Sequence, residues 1–205
     1  MTTLSRRSLV LAVPAALAGC GGVLGGSQPP PQLYTLTPAR DFPAGLPNAK
    51  GQLLVEVPVA PGGLDTERIA LMRSPVTLDY FANAAWTDRA PLMVQTLLVE
   101  SFENSGKIGA IGRESLALRA DWILKPELRD FTAVYDGGDA PTVRIRLALK
   151  LVRMPERGIV SERTIGSDER AAQNAILPVV EAFDAALRRA MQEAVAWAIP
   201  VMARG

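Results

Sequence analysis

Val143-Arg144-Ile145-Arg146-Leu147-Ala148-Leu149-Lys150-Leu151 is the cleanest alternation in the chain. Val143, Ile145, Leu147, Leu149 and Leu151 fall on one side, and Arg144, Arg146, Ala148 and Lys150 on the other. A two-residue period marks a strand with one buried face. Its flanks read the same way. Upstream, Trp122 to Tyr135 reads as a long strand, broken at Pro126, which implies an edge or a bulge there. Asp136-Gly137-Gly138-Asp139 is a turn. Downstream, Met154-Pro155-Glu156-Arg157-Gly158 turns again and Ile159 to Ile165 returns. The three strands form an antiparallel meander.

Such a sheet needs helices to cover its apolar side, and two stretches supply them. Asp88 is placed to cap the first, with Pro91 in the first turn, where a missing N–H costs least. Val94, Leu97, Leu98 and Phe102 share a face, and Ser105-Gly106 ends it near Asn104. The second runs from Asn174 to about Ile199 and stops at Pro200, with Val179, Val180, Phe183, Leu187, Met191 and Val195 at helical spacing. Ahead of the first helix lie a short strand at Tyr34-Thr35-Leu36, a strong one over Leu53 to Val59, and a hairpin of Ile69 to Arg73 with Val76 to Tyr80 around Ser74-Pro75. Ile108 to Ile111 reads as a further short strand. The expected fold is α/β, one mixed sheet with two main helices packed against it.

The amino end has a different composition. Arg6 and Arg7 precede an apolar run from Leu9 to Leu17, then small residues and Cys20. This is the layout of a secretory signal peptide over 1–19. The run is too short for a membrane span, which needs roughly 20 apolar residues. Leu17-Ala18-Gly19-Cys20 also resembles the lipobox of bacterial lipoproteins at all four positions. That resemblance implies cleavage between Gly19 and Cys20 and acylation of Cys20. Cys20 is the single cysteine, and a lone thiol in an exported chain calls for an explanation that acylation gives. Ser5-Arg6-Arg7-Ser8 resembles a twin-arginine export signal, an alternative to the ordinary basic start. Residues 20–32, with Pro29-Pro30-Pro31, read as a stiff Gly/Pro-rich linker, and 33–205 as a single domain. Gly21 after the cysteine, by resemblance to enteric lipoproteins, favours the outer membrane.

Composition narrows the chemistry. Without Arg6 and Arg7 the 22 basic residues become 20 against 21 acidic ones, a balance that argues against nucleic acid as a partner. The chain has no histidine, which removes the commonest general base and metal ligand. With Cys20 assigned to the anchor, thiolate chemistry goes too. Asp65 with Glu67 and Asp168 with Glu169 are the candidate carboxylates, and neither pair sits in an acid/base frame. The glycine-rich Gly106 to Gly112 lacks the ending of a phosphate loop. Arg144, Arg146 and Lys150 form a basic stripe, either a solvated sheet face or a surface for acidic groups on a partner or lipid. No catalytic residue, cofactor or metal is expected.

Several stretches together resemble the ABC-type transport auxiliary lipoproteins, a family that includes paraquat-inducible lipoproteins associated with MCE-domain proteins. They are Tyr34-Thr35-Leu36-Thr37; Val55-Glu56-Val57-Pro58 with Gly63 to Ile69; Tyr80 through Trp86; Ala120-Asp121-Trp122-Ile123-Leu124; and Pro178 to Phe183. The resemblance implies a three-layer α/β sandwich like the amino-terminal domain of TolB. It also implies a non-enzymatic accessory role in moving phospholipid or other hydrophobic compounds. The implied partners are a periplasmic MCE-domain protein, its ABC permease and ATPase, and the membrane through acyl chains on Cys20; a homo-oligomer is left open. The implied location is the inner leaflet of the outer membrane, facing the periplasm. A structural lipoprotein in outer-membrane or lipopolysaccharide assembly is the alternative. Trp122 stands where the family pattern has a tyrosine.

Overall fold

The computed structural model describes residues 30–113 and 119–205. The expected signal peptide, the Gly19–Cys20 cleavage point and most of the linker lie outside the described residues. The chain forms strands β1 (Gln32–Tyr34), β2 (Gln52–Val55), β3 (Arg68–Ser74) and β4 (Thr77–Trp86), then helix α1 (Ala90–Asn104). Strands β5 (Ala110–Arg113), β6 (Trp122–Val134), β7 (Thr142–Arg153) and β8 (Gly158–Arg170) follow, and helix α2 (Ile176–Arg204) ends the order.

All eight strands join one mixed sheet, and β6 is its spine. On one side β6 pairs antiparallel with β7 along its whole length, and β7 pairs with β8. On the other side its first residues pair parallel with β2 and its last two with β3. The meander is therefore as expected. Pro126 sits between those two parallel contacts, where only Val59 bridges the strand, so no backbone N–H is demanded of it. The bulge falls later, at the register shift between Leu128 and Asp130.

The odd-numbered side chains Val143, Ile145, Leu147, Leu149 and Leu151 are at most 1% exposed. They meet Val179, Phe183, Leu187, Met191 and Val195 of α2 in the same core. The largest side chains lock together there. Trp86 of β4, Phe131 of β6 and Phe183 of α2 pack edge-on or tilted with ring centroids 4.9 to 5.7 Å apart, within the range where aromatic pairs add to area burial. α1 reaches β2 through Gln95, whose side chain donates to the Val55 carbonyl at 2.9 Å. It reaches α2 through Ser101, in contact with the Met191 sulfur at 3.4 Å. Both helices thus lie side by side on one face. The expected α/β fold, a mixed sheet with two main helices, is the one formed, and the side of β6, β7 and β8 away from α2 carries charged side chains.

Four local expectations are corrected. The strand over Leu53 to Val59 stops at Val55, and Val57 and Val59 are exposed, because only Val59 finds a strand partner, an isolated bridge to Glu127. The hairpin strand ending at Tyr80 continues to Trp86, held by parallel pairing with β1. Asp88 accepts the Arg89 N–H at 2.7 Å, and α1 has no side-chain cap. Pro200 does not stop α2, which runs on to Arg204 with Pro200 inside it. Burial of Ile199 and Met202 keeps the last turn in place despite the lost N–H.

Candidate functional site

The side of the meander away from α2 is built by the even-numbered residues of β7 and β8 and their β6 neighbours. Arg146 forks onto Asp168 across the strand pair, at 2.5 and 2.9 Å. Arg144 lies 4.0 Å from Asp130. The Thr132 hydroxyl donates to Asp130 at 2.6 Å. Burial pushes the Asp130 carboxyl above its ordinary pKa, against the pull of that hydroxyl and of Arg144. The hydrogen bond from Arg146 holds the Asp168 carboxyl below the usual range and raises the guanidinium in return.

Towards the other end of the sheet the pattern changes. Lys125 pairs with Glu56, and Arg129 bonds Glu127 at 3.0 Å, which lowers the Glu127 pKa. Lys125 stands opposite Lys150, and Lys150 opposite Glu162, so one row crosses the strands as acid, base, base, acid. Two shallow depressions flank the Glu56–Lys125 pair. One, of about 440 Å³, is walled by Ile123, Val152, Met154, Arg157 and Ile159. The other, of about 290 Å³, is walled by Val59, Pro126, Glu127, Ala148 and Lys150. Val59 and Ile159 are 71% and 57% exposed, so the apolar walls reach solvent.

The basic stripe is thus largely neutralised within the chain. Arg144 and Arg146 have carboxylates from neighbouring strands, and Lys150 stays exposed. The sequence reading placed the stripe and missed Glu56, Glu127 and Asp130. Register was the missing signal, since the bulge at Arg129 decides which β6 residues face Arg146.

The candidate carboxylates do not converge. Asp65 pairs with Arg89. Asp168 and Glu169 point to opposite faces, one to Arg146 and the other to Arg189 of α2. Glu67 is exposed, and its carbonyl accepts the Trp86 N–H at 2.7 Å. Among the described residues no cluster of acidic, cysteine or histidine side chains could hold a metal ion. Among them, too, no helix is long and apolar enough to cross a membrane. Gly106 adopts a positive φ of 60° and makes the turn after α1. Cys20 and Gly19 lie outside the described residues.

The stretches that carried the resemblance are structural in place. Trp86 and Phe183 are two of the three interlocked rings. Asp121 accepts the Gln52 N–H at 2.8 Å, and Trp122 donates from its ring to the Lys50 carbonyl at 3.1 Å. Gly51, with φ of 85°, passes so close that an added Cβ would lie 2.7 Å from the Asp121 carboxylate. Together they fix β2 against β6. The model of the ABC-type transport auxiliary lipoprotein component matches residues 34–195, from the end of β1 into the last third of α2. The chain belongs to that family.

Its relatives agree in sequence and shape. Protein XCC0632 from Xanthomonas campestris, of the DUF330 family, is 29% identical, with a TM-score of 0.79 over 83% of this chain and 95% of that one. The uncharacterized protein bll6063 from Bradyrhizobium diazoefficiens is 28% identical over 89% of this auxiliary-family chain. The chain spans about half, 49%, of that relative's length. Protein CT253 from Chlamydia trachomatis shares the fold at 10% identity, with a TM-score of 0.54 over 77% of this chain and all of that one.

Proposed function

We propose that this chain is a lipid-anchored, non-catalytic accessory subunit of an MCE-type ABC transport system that moves phospholipid or other hydrophobic compounds across the cell envelope. Acyl chains on Cys20 hold residues 33–205, acting as one domain, at the inner leaflet of the outer membrane. The open sheet face is the surface offered to the periplasmic MCE-domain protein. The observation that carries the reading is the family match over residues 34–195. The absence of histidine from the whole chain supports a tethering and docking role rather than a catalytic one. One acyl chain binds a membrane only marginally, and stable anchoring takes two or more signals, which an acylated lipoprotein terminus supplies.

Two measurements test it. Cys20→Ala should move the protein from carbonate-washed membranes into the soluble periplasm; retention in the membrane would refute the anchor. In-cell crosslinking followed by purification should recover an MCE-domain protein, and Lys150→Glu should reduce that yield without changing the amount of folded protein. Recovery of other envelope proteins alone would remove the MCE assignment.

A further inference from the structure

Strand β8 is the free edge of the meander. It pairs with β7 on one side, and on the other no strand joins it among the described residues. A long exposed edge is a template for another strand, and charges along it are the usual protection. The first residues carry no charge, with Ile159 and Val160 57% and 49% exposed, and a bulge at Val160 sets them apart from the regular strand that follows. The rest reads Glu162-Arg163-Thr164-Ile165-Gly166-Ser167-Asp168-Glu169-Arg170. Its charges run acid, base, then acid, acid, base, an order that reverses its sign about Gly166 at the outer two positions of each end.

Two identical antiparallel edges hydrogen-bond only when outward-facing residues stand opposite outward-facing residues. The two-fold axis must then pass through a residue of the strand. With the axis at Gly166, Glu162 faces Arg170 of the second copy and Arg163 faces its Glu169. Symmetry repeats each pair, as in any self-complementary interface. Thr164 then stands opposite Asp168, a hydroxyl against a carboxylate. An axis at Ile165 puts Glu162 against Asp168. An axis at Glu162, Arg163, Asp168, Glu169 or Arg170 sets a charge against itself, and one at Thr164 or Ser167 brings no charges together. Of the residues from Glu162 to Arg170, Gly166 alone gives opposite pairs and no like ones.

We infer that β8 is a self-association edge, where a second copy of this chain pairs antiparallel about Gly166 and continues the sheet. Glu162 and Arg170 are exposed and have no ion-pair partner among the described residues, so they are available to the second copy. Arg163 and Glu169 are held from α2 by Glu193 and Arg189, which presents them in fixed positions, and Arg189 also donates to the Asp168 carbonyl at 2.9 Å, which the second copy's strand must share through the other lone pair. Gly166 is exposed and brings no side chain of its own to the axis, where the Arg146 side chain lies over it. The contact is narrow beside the 1,200–2,000 Å² of a stable interface, so the dimer is weak and depends on concentration.

Sedimentation velocity of the full chain in mild detergent should show a dimer that grows with concentration and dissolves with salt. Glu162→Arg replaces two favourable cross-strand pairs by two repulsive ones and should weaken association about tenfold or more. Adding Arg170→Glu restores opposite pairs and should recover it. On a Cys20→Ala background, Glu162→Cys mixed with Arg170→Cys should form a disulfide-linked dimer under mild oxidation, and neither variant should do so alone. A monomer at every concentration, a dimer indifferent to both charge reversals, or crosslinking of either variant alone would overturn the inference.

Discussion

Asp130 and Asp168 sit on the same face, both near arginines, yet their carboxyls shift in opposite directions. Burial dominates at Asp130, while the forked bond from Arg146 dominates at Asp168. The signs have opposite consequences for stability. A carboxyl raised by folding contributes most below its unfolded value near 3.8, and that contribution is lost as pH rises through the folded value. A lowered carboxyl contributes above that value and loses the contribution as pH falls through the folded one. Asp168→Asn should therefore lower the urea midpoint at pH 7 and lower it by less at pH 2, below the unfolded value near 3.8. Asp168 is half exposed, so the loss should be below about 1 kcal/mol. Asp130→Asn should leave the midpoint at pH 7 unchanged or raised, because no buried charge then needs solvation. Urea melts at the two pH values read both; a loss for Asp130→Asn as large as for Asp168→Asn would contradict the opposed causes.

Among the elements, β7 was legible in full because nothing competes with a two-residue period over that length. Every odd residue from Val143 to Leu151 is buried, as the alternation required. The ends of elements were less legible. β2 stops at Val55 although Val57 and Val59 continue its apolar period, since a strand needs a neighbour's backbone and past Glu56 the chain meets β6 again only at the isolated Val59–Glu127 bridge. The charged partners of Arg144 and Arg146 were hidden by the one-residue bulge in β6, which no periodicity reports. α2 passes through Pro200, where the Ala196 carbonyl loses its helical donor, because Ile199 and Met202 are buried on the sheet. Pro200→Ala should then raise the thermal midpoint, by less than the roughly 3 kcal/mol of a mid-helix proline because the site is near the helix end. A lowered midpoint would mean that the ring's own packing matters more than the missing bond. The aromatic knot gives the largest effect. Phe131→Ala should cost about 3–5 kcal/mol in a denaturant melt, since both Trp86 and Phe183 lose a ring contact.

At the scale of the molecule the family's position along the chain coincides with its packing. The matched residues 34–195 run from Tyr34 of β1 to Val195 of α2, and the chain just past β1 meets α2. Thr37, just after β1, bonds Asp184 of α2 from its backbone N–H and its hydroxyl, both at 2.7 Å. β1 itself is parallel to the end of β4, with Tyr34 opposite Trp86. That arrangement has a mechanical meaning. Tension applied ahead of Gln32 along the strand meets the β1–β4 hydrogen bonds broadside, so they share the load in shear instead of parting one after another. Behind them the two hydrogen bonds from Thr37 to Asp184 and the Trp86 ring pass the pull into the middle of the core. The end of the chain on which the proposed anchor would pull is thus tied directly into the core.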